Sequence, residues 1–231
     1  PVSRVLTLGS CFAQHIGQHI AAALPDGHAL VNPFGPLYAP QVIAHHLRLL
    51  LDTAPLPDAT YFEGVEGMWH NRWFSTHVSS VELATCRRLT TDALSAARDL
   101  LRHADVLVLT LGTDRCYRLP DGRLVANCHK QPAAAFTEHA ADVDTLTSDL
   151  RRALDGLRAH RPELQVVWTV SPYRYAKYGL HASQLAKARL LLAVDALCAT
   201  DERSVYFPAY ELLLDELRDY RYYARDLLHP S

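Results

Sequence analysis

VLTLGSCFAQHI, residues 5–16, holds the reading that decides the fold. A strand-forming run stops at Gly9, two small side chains follow at Ser10 and Cys11, and an amphipathic helical pattern begins at Phe12. This is the sequence form of a buried strand that turns directly into a helix, the unit from which α/β sheets are built. A hydroxyl at such a turn stands at a helix N-terminus, where free backbone N–H groups and the helix dipole favour developing negative charge. Ser10 therefore reads either as a nucleophile or as an N-cap, a position that serine favours. Cys11 beside it reads as packing, because adjacent residues at such a turn point in different directions and cysteine is commonly buried.

The same unit recurs outward along the chain. ALV (29–31), DVLVLTL (105–111), LQVVWTV (164–170) and SVYF (204–207) read as short buried strands, and segments 12–24, 41–51, 91–103, 146–160 and 181–198 as helices. The alternation predicts parallel strands joined by right-handed crossovers: a three-layer α/β/α sandwich with a mostly parallel sheet, in one domain spanning residues 1–231. Two segments, 52–90 and 115–140, interrupt it. The first opens with DTAPLPDATYFEGVEGMWHNRW, dense in Pro, Gly and aromatics, and reads as an insertion or lid-like loop. The second contains YRLPDGRLVANCHKQP, a β-hairpin with a Pro-Asp-Gly turn. A turn at Asp121-Gly122 sets Asn127 opposite Cys116 and Cys128 on the other face, which disfavours a Cys116–Cys128 bridge.

Composition narrows the function. The 231 residues are 49% hydrophobic, and 23 basic against 25 acidic side chains leave a net charge of −2, so no footprint for nucleic acid or an anionic membrane stands out. A small neutral or polar substrate is the expectation. No apolar run reaches the length of a membrane span and no signal segment precedes Val5, so the chain is expected to work in water, in the cytoplasm. It begins at Pro1 and stops at Ser231 directly after a motif, and so reads as a fragment lacking a C-terminal helix. Five cysteines, odd in number and without a C-x-x-C pair, argue against a disulfide framework or a thiolate zinc site and for a reducing compartment. His15 and His19 share a helix face at a spacing zinc can use, but no matching carboxylate accompanies them, and neither metal nor cofactor is expected.

The residues at the strand ends carry the chemistry. Gly9-Ser10, Asn32-Pro33-Phe34-Gly35, Gly112-Thr113-Asp114 and Ser171-Pro172 all fall on the carboxyl edge of the sheet, where open α/β folds bind their ligands. In RDLLHPS, Asp226 and His229 are spaced so that a carboxylate can orient an imidazole whose other nitrogen faces Ser10. The alternative for His229 is a helix end where it caps carbonyls. His129, Tyr173 and Arg174 are candidate substrate contacts. A solvated hairpin end is the alternative for His129, and solvated cations the alternative for Arg174 and Lys187. The runs YRYAKYG and DYRYYARD suit a rim that stacks on sugar or aromatic groups.

The motifs GSCFA (9–13), NPFGPLYAP, TLGTDRCYR, NCHKQP, TVSPYRY and YFPAYELLLDELRDYRYYARDLLHPS stand in this order over nearly the whole chain. In them the sequence resembles the GSCFA family, within the SGNH/GDSL hydrolase superfamily. The resemblance implies an SGNH-hydrolase-like, flavodoxin-like fold. It also implies a serine-dependent acyl-ester hydrolase or O-acyltransferase that handles small acyl groups such as acetyl on a carbohydrate or similar polar substrate through an acyl-enzyme. Ser10 would be nucleophile, His229 general base and Asp226 its orienter, with the N–H groups of Ser10 and Gly35 in the oxyanion hole. The superfamily's third-block asparagine is missing from Gly112-Thr113-Asp114, so Thr113 or Asn127 is expected to supply the third donor. Asp114 is expected to point away or to pair with Arg115 or Arg118. The departure keeps a second reading open, a non-catalytic or weakly active ligand-binding module on the same fold.

Overall fold

Runs such as VLVLTL, apolar at nearly every position, can bury both faces only inside a sheet, and five strands pair in parallel. The structure is a computed structural model and describes residues 3–231. In chain order it contains β1 (Val5–Gly9), α1 (Cys11–Ala23), β2 (Ala29–Val31), α2 (Pro40–Leu51), β3 (Tyr61–Glu63), β4 (Trp69–Asn71), α3 (Leu83–Leu101) and β5 (Val106–Leu111). There follow β6 (Arg115–Arg118), β7 (Leu124–Val125), β8 (Thr137–Ala140), α4 (Val143–His160), β9 (Gln165–Val170), α5 (Gly179–Cys198) and β10 (Ser204–Tyr206).

The central sheet has the order β2-β1-β5-β9-β10, so the direction of winding reverses between β1 and β5. Open α/β folds place their binding crevice at that reversal, outside the carboxyl ends of the strands. One face of the sheet, including Leu6, Leu8, Leu107, Leu109, Leu111 and Trp168, is fully buried in a core shared with α2, α3, α4 and α5. The opposite face carries α1, which approaches closely because Gly17 has no side chain; a Cβ there would stand 2.6 Å from Val31 Cγ1. Beside α1 the valines of β5 and β9 form an apolar trough with Ile16, Ile20 and Phe207. The expected three-layer sandwich is therefore present, with unequal outer layers.

The interruptions form small sheets of their own. Within 52–90, β3 and β4 pair antiparallel, and α3 begins at Leu83, earlier than the predicted position 91. The helix extends because Cys86 and Thr90 take core positions in line with Leu94, Ala97 and Leu101, a stripe that an apolar count misses. Thr90 satisfies its hydroxyl on the Cys86 carbonyl at 3.1 Å. Within 115–140, β7 and β8 flank β6. The hairpin register differs by one from expectation: Tyr117 faces Val125 and Arg118 faces Leu124, which continues to Asn127 opposite Arg115 rather than Cys116. Leu119 N–H donates to the Arg123 carbonyl at 2.9 Å, so the loop holds three residues and ends on Gly122 at φ 85°, in place of a two-residue turn. All five cysteines are free. Among the described residues no helix is long and apolar enough to cross a membrane, and no group of three His, Cys, Asp or Glu stands ready to hold a metal.

Candidate active site

A cavity of about 390 Å³ opens at the carboxyl edge, beside the point where the winding reverses. Its wall is contributed by Cys11 from the β1–α1 turn, Tyr38, Thr113 after β5, Asn127 on the hairpin, Tyr173 and Tyr175 after β9, and His229.

The β1–α1 turn is locked by its neighbours. Gly9 adopts φ 149° against the backbone of β5, where a Cβ would lie 2.3 Å from the Thr110 carbonyl oxygen. Asn32 clamps the turn: its Oδ1 accepts from Gly9 N–H at 2.9 Å, and its Nδ2 donates to the carbonyls of Gly9 and Ser10, each at 3.2 Å. Ser10 N–H donates to Thr110 O at 3.2 Å. The Ser10 side chain is 1% exposed, does not cap α1, and its Oγ has no hydrogen-bond partner among the described residues. The side chain that this turn presents to the cavity is Cys11, half-buried, which corrects its reading as packing. Burial pushes the Cys11 thiol up, while the N–H groups of Phe12 and of Cys11 itself pull it down.

Asp226 and His229 are brought together as the D-x-x-H spacing predicts. His229 Nδ1 lies 2.5 Å from Asp226 Oδ2, and because a carboxylate only accepts, a ring proton sits on Nδ1, so that in the neutral imidazole Nε2 is the nitrogen that carries the lone pair. Asp226 Oδ1 accepts the N–H groups of Leu228 at 2.9 Å and His229 at 3.0 Å. These donors, Leu228 N–H first and then the His229 ring, hold the Asp226 carboxyl down at about 2. The loop is tied in place: Arg174 N–H donates to Leu228 O at 3.1 Å, Ala224 N–H to His229 O at 2.8 Å, and the imidazole packs on the Tyr173 ring at 4.4 Å.

Tyr173 thus lines the cavity as expected, but two other substrate candidates do not. Arg174 stacks its guanidinium over Tyr223 at 4.1 Å and Tyr220 at 5.3 Å, outside the cavity, where planar cation and ring faces attract. It buttresses the loop that carries His229. His129 is 2% exposed, with Nε2 3.1 Å from the Asn71 carbonyl and its ring 4.4 Å from that of His70. Burial lowers its pKa to about 4, so it is a neutral packing group between β4 and the hairpin.

The residues expected to be oxyanion donors also divide. Gly35 N–H donates to Asn32 O at 2.8 Å, and the residue sits at φ 76° against Ser75, away from the cavity. It is a tight-turn glycine, and its expected role as an oxyanion donor is corrected. The N–H groups of Ser10 and Thr113 are likewise engaged, the latter with Tyr38 O at 3.1 Å. Thr113 Oγ1, however, only accepts from Arg115 N–H at 3.3 Å, which leaves its proton for the cavity. Asn127 Oδ1 accepts His129 N–H at 2.7 Å, which leaves the amide Nδ2 as a donor. Both residues named for the missing third donor therefore line the cavity. Asp114 is fully buried and pairs chiefly with Arg189 at 2.7 Å, with Arg115 at 3.9 Å, while Arg118 turns to the Gly122 carbonyl.

Sequence reasoning missed Lys187. Read as solvated or as a substrate contact, it is 2% exposed, and its Nζ donates to Gly112 O at 2.7 Å and Ser171 O at 2.6 Å, tying together the ends of β5 and β9. Burial holds its pKa down at about 7, opposed by Cys11 and Asp114. Lys187→Met keeps the stem volume but orphans two buried carbonyls, and it is expected to cost about 3 kcal/mol, read from urea denaturation midpoints.

The family model described as the GSCFA family matches residues 4–231. None of the curated proteins and none of the solved structures matches the chain.

Proposed function

Taking as premise that this chain belongs to the GSCFA family, we propose that it is an acyl-transferring enzyme, an ester hydrolase or O-acyltransferase of the SGNH/GDSL type. Its substrates are small acyl groups such as acetyl, carried as esters on a carbohydrate or a similar polar scaffold. The observation that carries the reading is the Asp226–His229 pair, proton on Nδ1, at a cavity on the carboxyl edge of the sheet.

In this mechanism Nε2 of His229 takes the proton of a nucleophile on the β1–α1 turn. The nucleophile attacks the ester carbonyl carbon, and the carbonyl electron pair moves onto oxygen. Thr113 Oγ1–H, Asn127 Nδ2–H and the unpaired first N–H groups of α1 support that oxyanion. On collapse the carbon–oxygen bond to the alcohol breaks, and His229 returns the proton to the leaving oxygen. Water, or a hydroxyl of an acceptor, then attacks the acyl-enzyme by the same route and restores the nucleophile. Tyr38, Tyr173 and Tyr175 give the cavity apolar faces with polar rims, the surface that sugar rings pack against. Free cysteines suit a reducing compartment, and a cytoplasmic location belongs to this proposal.

A second reading, a binding module without turnover, is favoured by the Gly35 N–H being engaged with Asn32. Assays with 4-nitrophenyl esters from acetate to octanoate and with acetylated xylose separate the two. The enzyme reading expects hydrolysis or transfer that is fastest for short acyl groups, whereas saturable binding without release from any ester favours the module. Asn127→Ala is expected to lower kcat by about a hundredfold with little change in KM, because the donor acts on charge that develops only in the transition state.

A further inference from the structure

We propose that the nucleophile of this site is the thiol of Cys11. The inference rests on the reading of the cavity as an acyl-transfer site and changes the atom that carries the acyl group.

Three observations converge. First, of the two adjacent side chains on the turn, Cys11 lines the cavity with His229, whereas Ser10 is 1% exposed with an unpartnered Oγ. Backbone adjustment does not easily exchange them, because Gly9 abuts β5, Asn32 holds the carbonyls of Gly9 and Ser10, and Ser10 N–H is bound to Thr110 O. Second, Cys11 is the first residue of α1, where the backbone N–H groups of Phe12 and Cys11 favour negative charge on its sulfur, in part offsetting the larger opposite effect of burial. Third, burial works against ionisation, so the resting group is a thiol and needs a base, and the base in the same cavity is His229. Cys128 also lines the cavity, but it sits on the hairpin and no backbone N–H group acts on its sulfur, which makes it an internal control.

Atoms and protons balance in both halves of the reaction. His229 Nε2 accepts the thiol proton, sulfur bonds to the carbonyl carbon, and the carbonyl pair moves to oxygen. Collapse breaks the bond to the alcohol oxygen, which takes the proton back from His229 and leaves a thioester on Cys11. Water or an acceptor hydroxyl, deprotonated by His229, attacks the thioester. The carbon–sulfur bond breaks, and sulfur recovers the proton.

Iodoacetamide alkylation, resolved by peptide mapping, tests the thiol without an ester substrate. Cys11 is expected to react at least about tenfold faster than Cys128 at neutral pH and to lose that excess in His229→Ala while Cys128 is unchanged. In Ser10→Ala the His229 dependence is expected to persist. Equal rates at the two cysteines, or a Cys11 rate indifferent to His229→Ala, would overturn the proposal. Acid quenching during turnover of 4-nitrophenyl acetate adds a second arm, with the acetyl adduct expected on Cys11. Turnover that survives Cys11→Ala but not Ser10→Ala returns the role to Ser10 and overturns the thiol while the acyl-transfer reading stands. His229-dependent alkylation of Cys11 in a protein that turns over no ester upholds the activated thiol and removes that reading instead.

Discussion

His229→Ala is expected to reduce ester turnover by about a thousandfold, the range over which a positioned general base acts. The same nitrogen is asked to accept the nucleophile's proton and to deliver it to the leaving oxygen, so its loss slows both halves of the reaction. The fold is expected to stay intact, since the imidazole side chain is 46% exposed and its chief contacts are to Asp226 and the Tyr173 ring. Circular dichroism and a denaturation midpoint within error of wild type check that point. Asp226→Asn is expected to fall between the two. An amide can offer its own N–H to Nδ1 and push the ring proton to Nε2, the wrong nitrogen for a base. Because the Asp226 carboxyl is held at about 2, it stays ionised throughout the pH range of ester assays, and its substitution is expected to lower the plateau of the rate profile. A His229→Ala protein that retains wild-type turnover would remove the dyad from the mechanism.

Gly9→Ala is expected to cost about 4 kcal/mol of stability, and with it the loss of the site. The added Cβ would stand 2.3 Å from the Thr110 carbonyl oxygen and 2.8 Å from both Thr110 N and Thr110 Cβ, while φ 149° is a conformation that side chains rarely adopt. The obstacle is backbone in the middle of the sheet, where β1 and β5 pair residue by residue from Val5 opposite Val106 to Gly9 opposite Thr110. Neither strand can retreat without parting the ladder. Gly122→Ala is the control: its φ is also positive, at 85°, but nothing lies within 4 Å of the new Cβ, so the cost reduces to that of the left-handed conformation, about 1 kcal/mol. Guanidinium denaturation of both variants checks the comparison, and equal midpoints would show that the close approach to Thr110 has no weight.

Much of this architecture was legible in the chain because it rests on local signals. Four of the five core strands are runs rich in aliphatic residues, each of the five ends close to a Gly, Asn, Ser or Pro, and the parallel sheet follows from their alternation with helices. Asp226 and His229 were legible for the same reason: three residues of spacing suffice to bring ring and carboxylate together. What could not be read depended on direction and on distant partners. Whether Ser10 or Cys11 faces the cavity is set by the Asn32 clamp, a contact between residues 22 and 23 positions apart. Gly35 spends its N–H on a turn of its own. Lys187 looks solvated in sequence because lysine generally is, and only the ends of β5 and β9 give its ammonium a reason to be inside. The hairpin slipped by one residue because loop length, rather than strand pattern, fixes register.

The order in which these parts leave the ribosome has a bearing on when the protein becomes reactive. The turn with Cys11 is made first, and the sheet it belongs to is complete once β10 has emerged, about two dozen residues before His229. Arg174, which follows β9 in the chain, holds the loop that bears Asp226 and His229 through its N–H to Leu228 O and its guanidinium over Tyr223. On the proposed mechanism, a nascent chain that has folded its core holds an unactivated thiol until that loop docks. On the acyl-transfer reading proposed above, a chain that lacks this loop lacks its base, and ester attack is expected to begin only once the loop is in place.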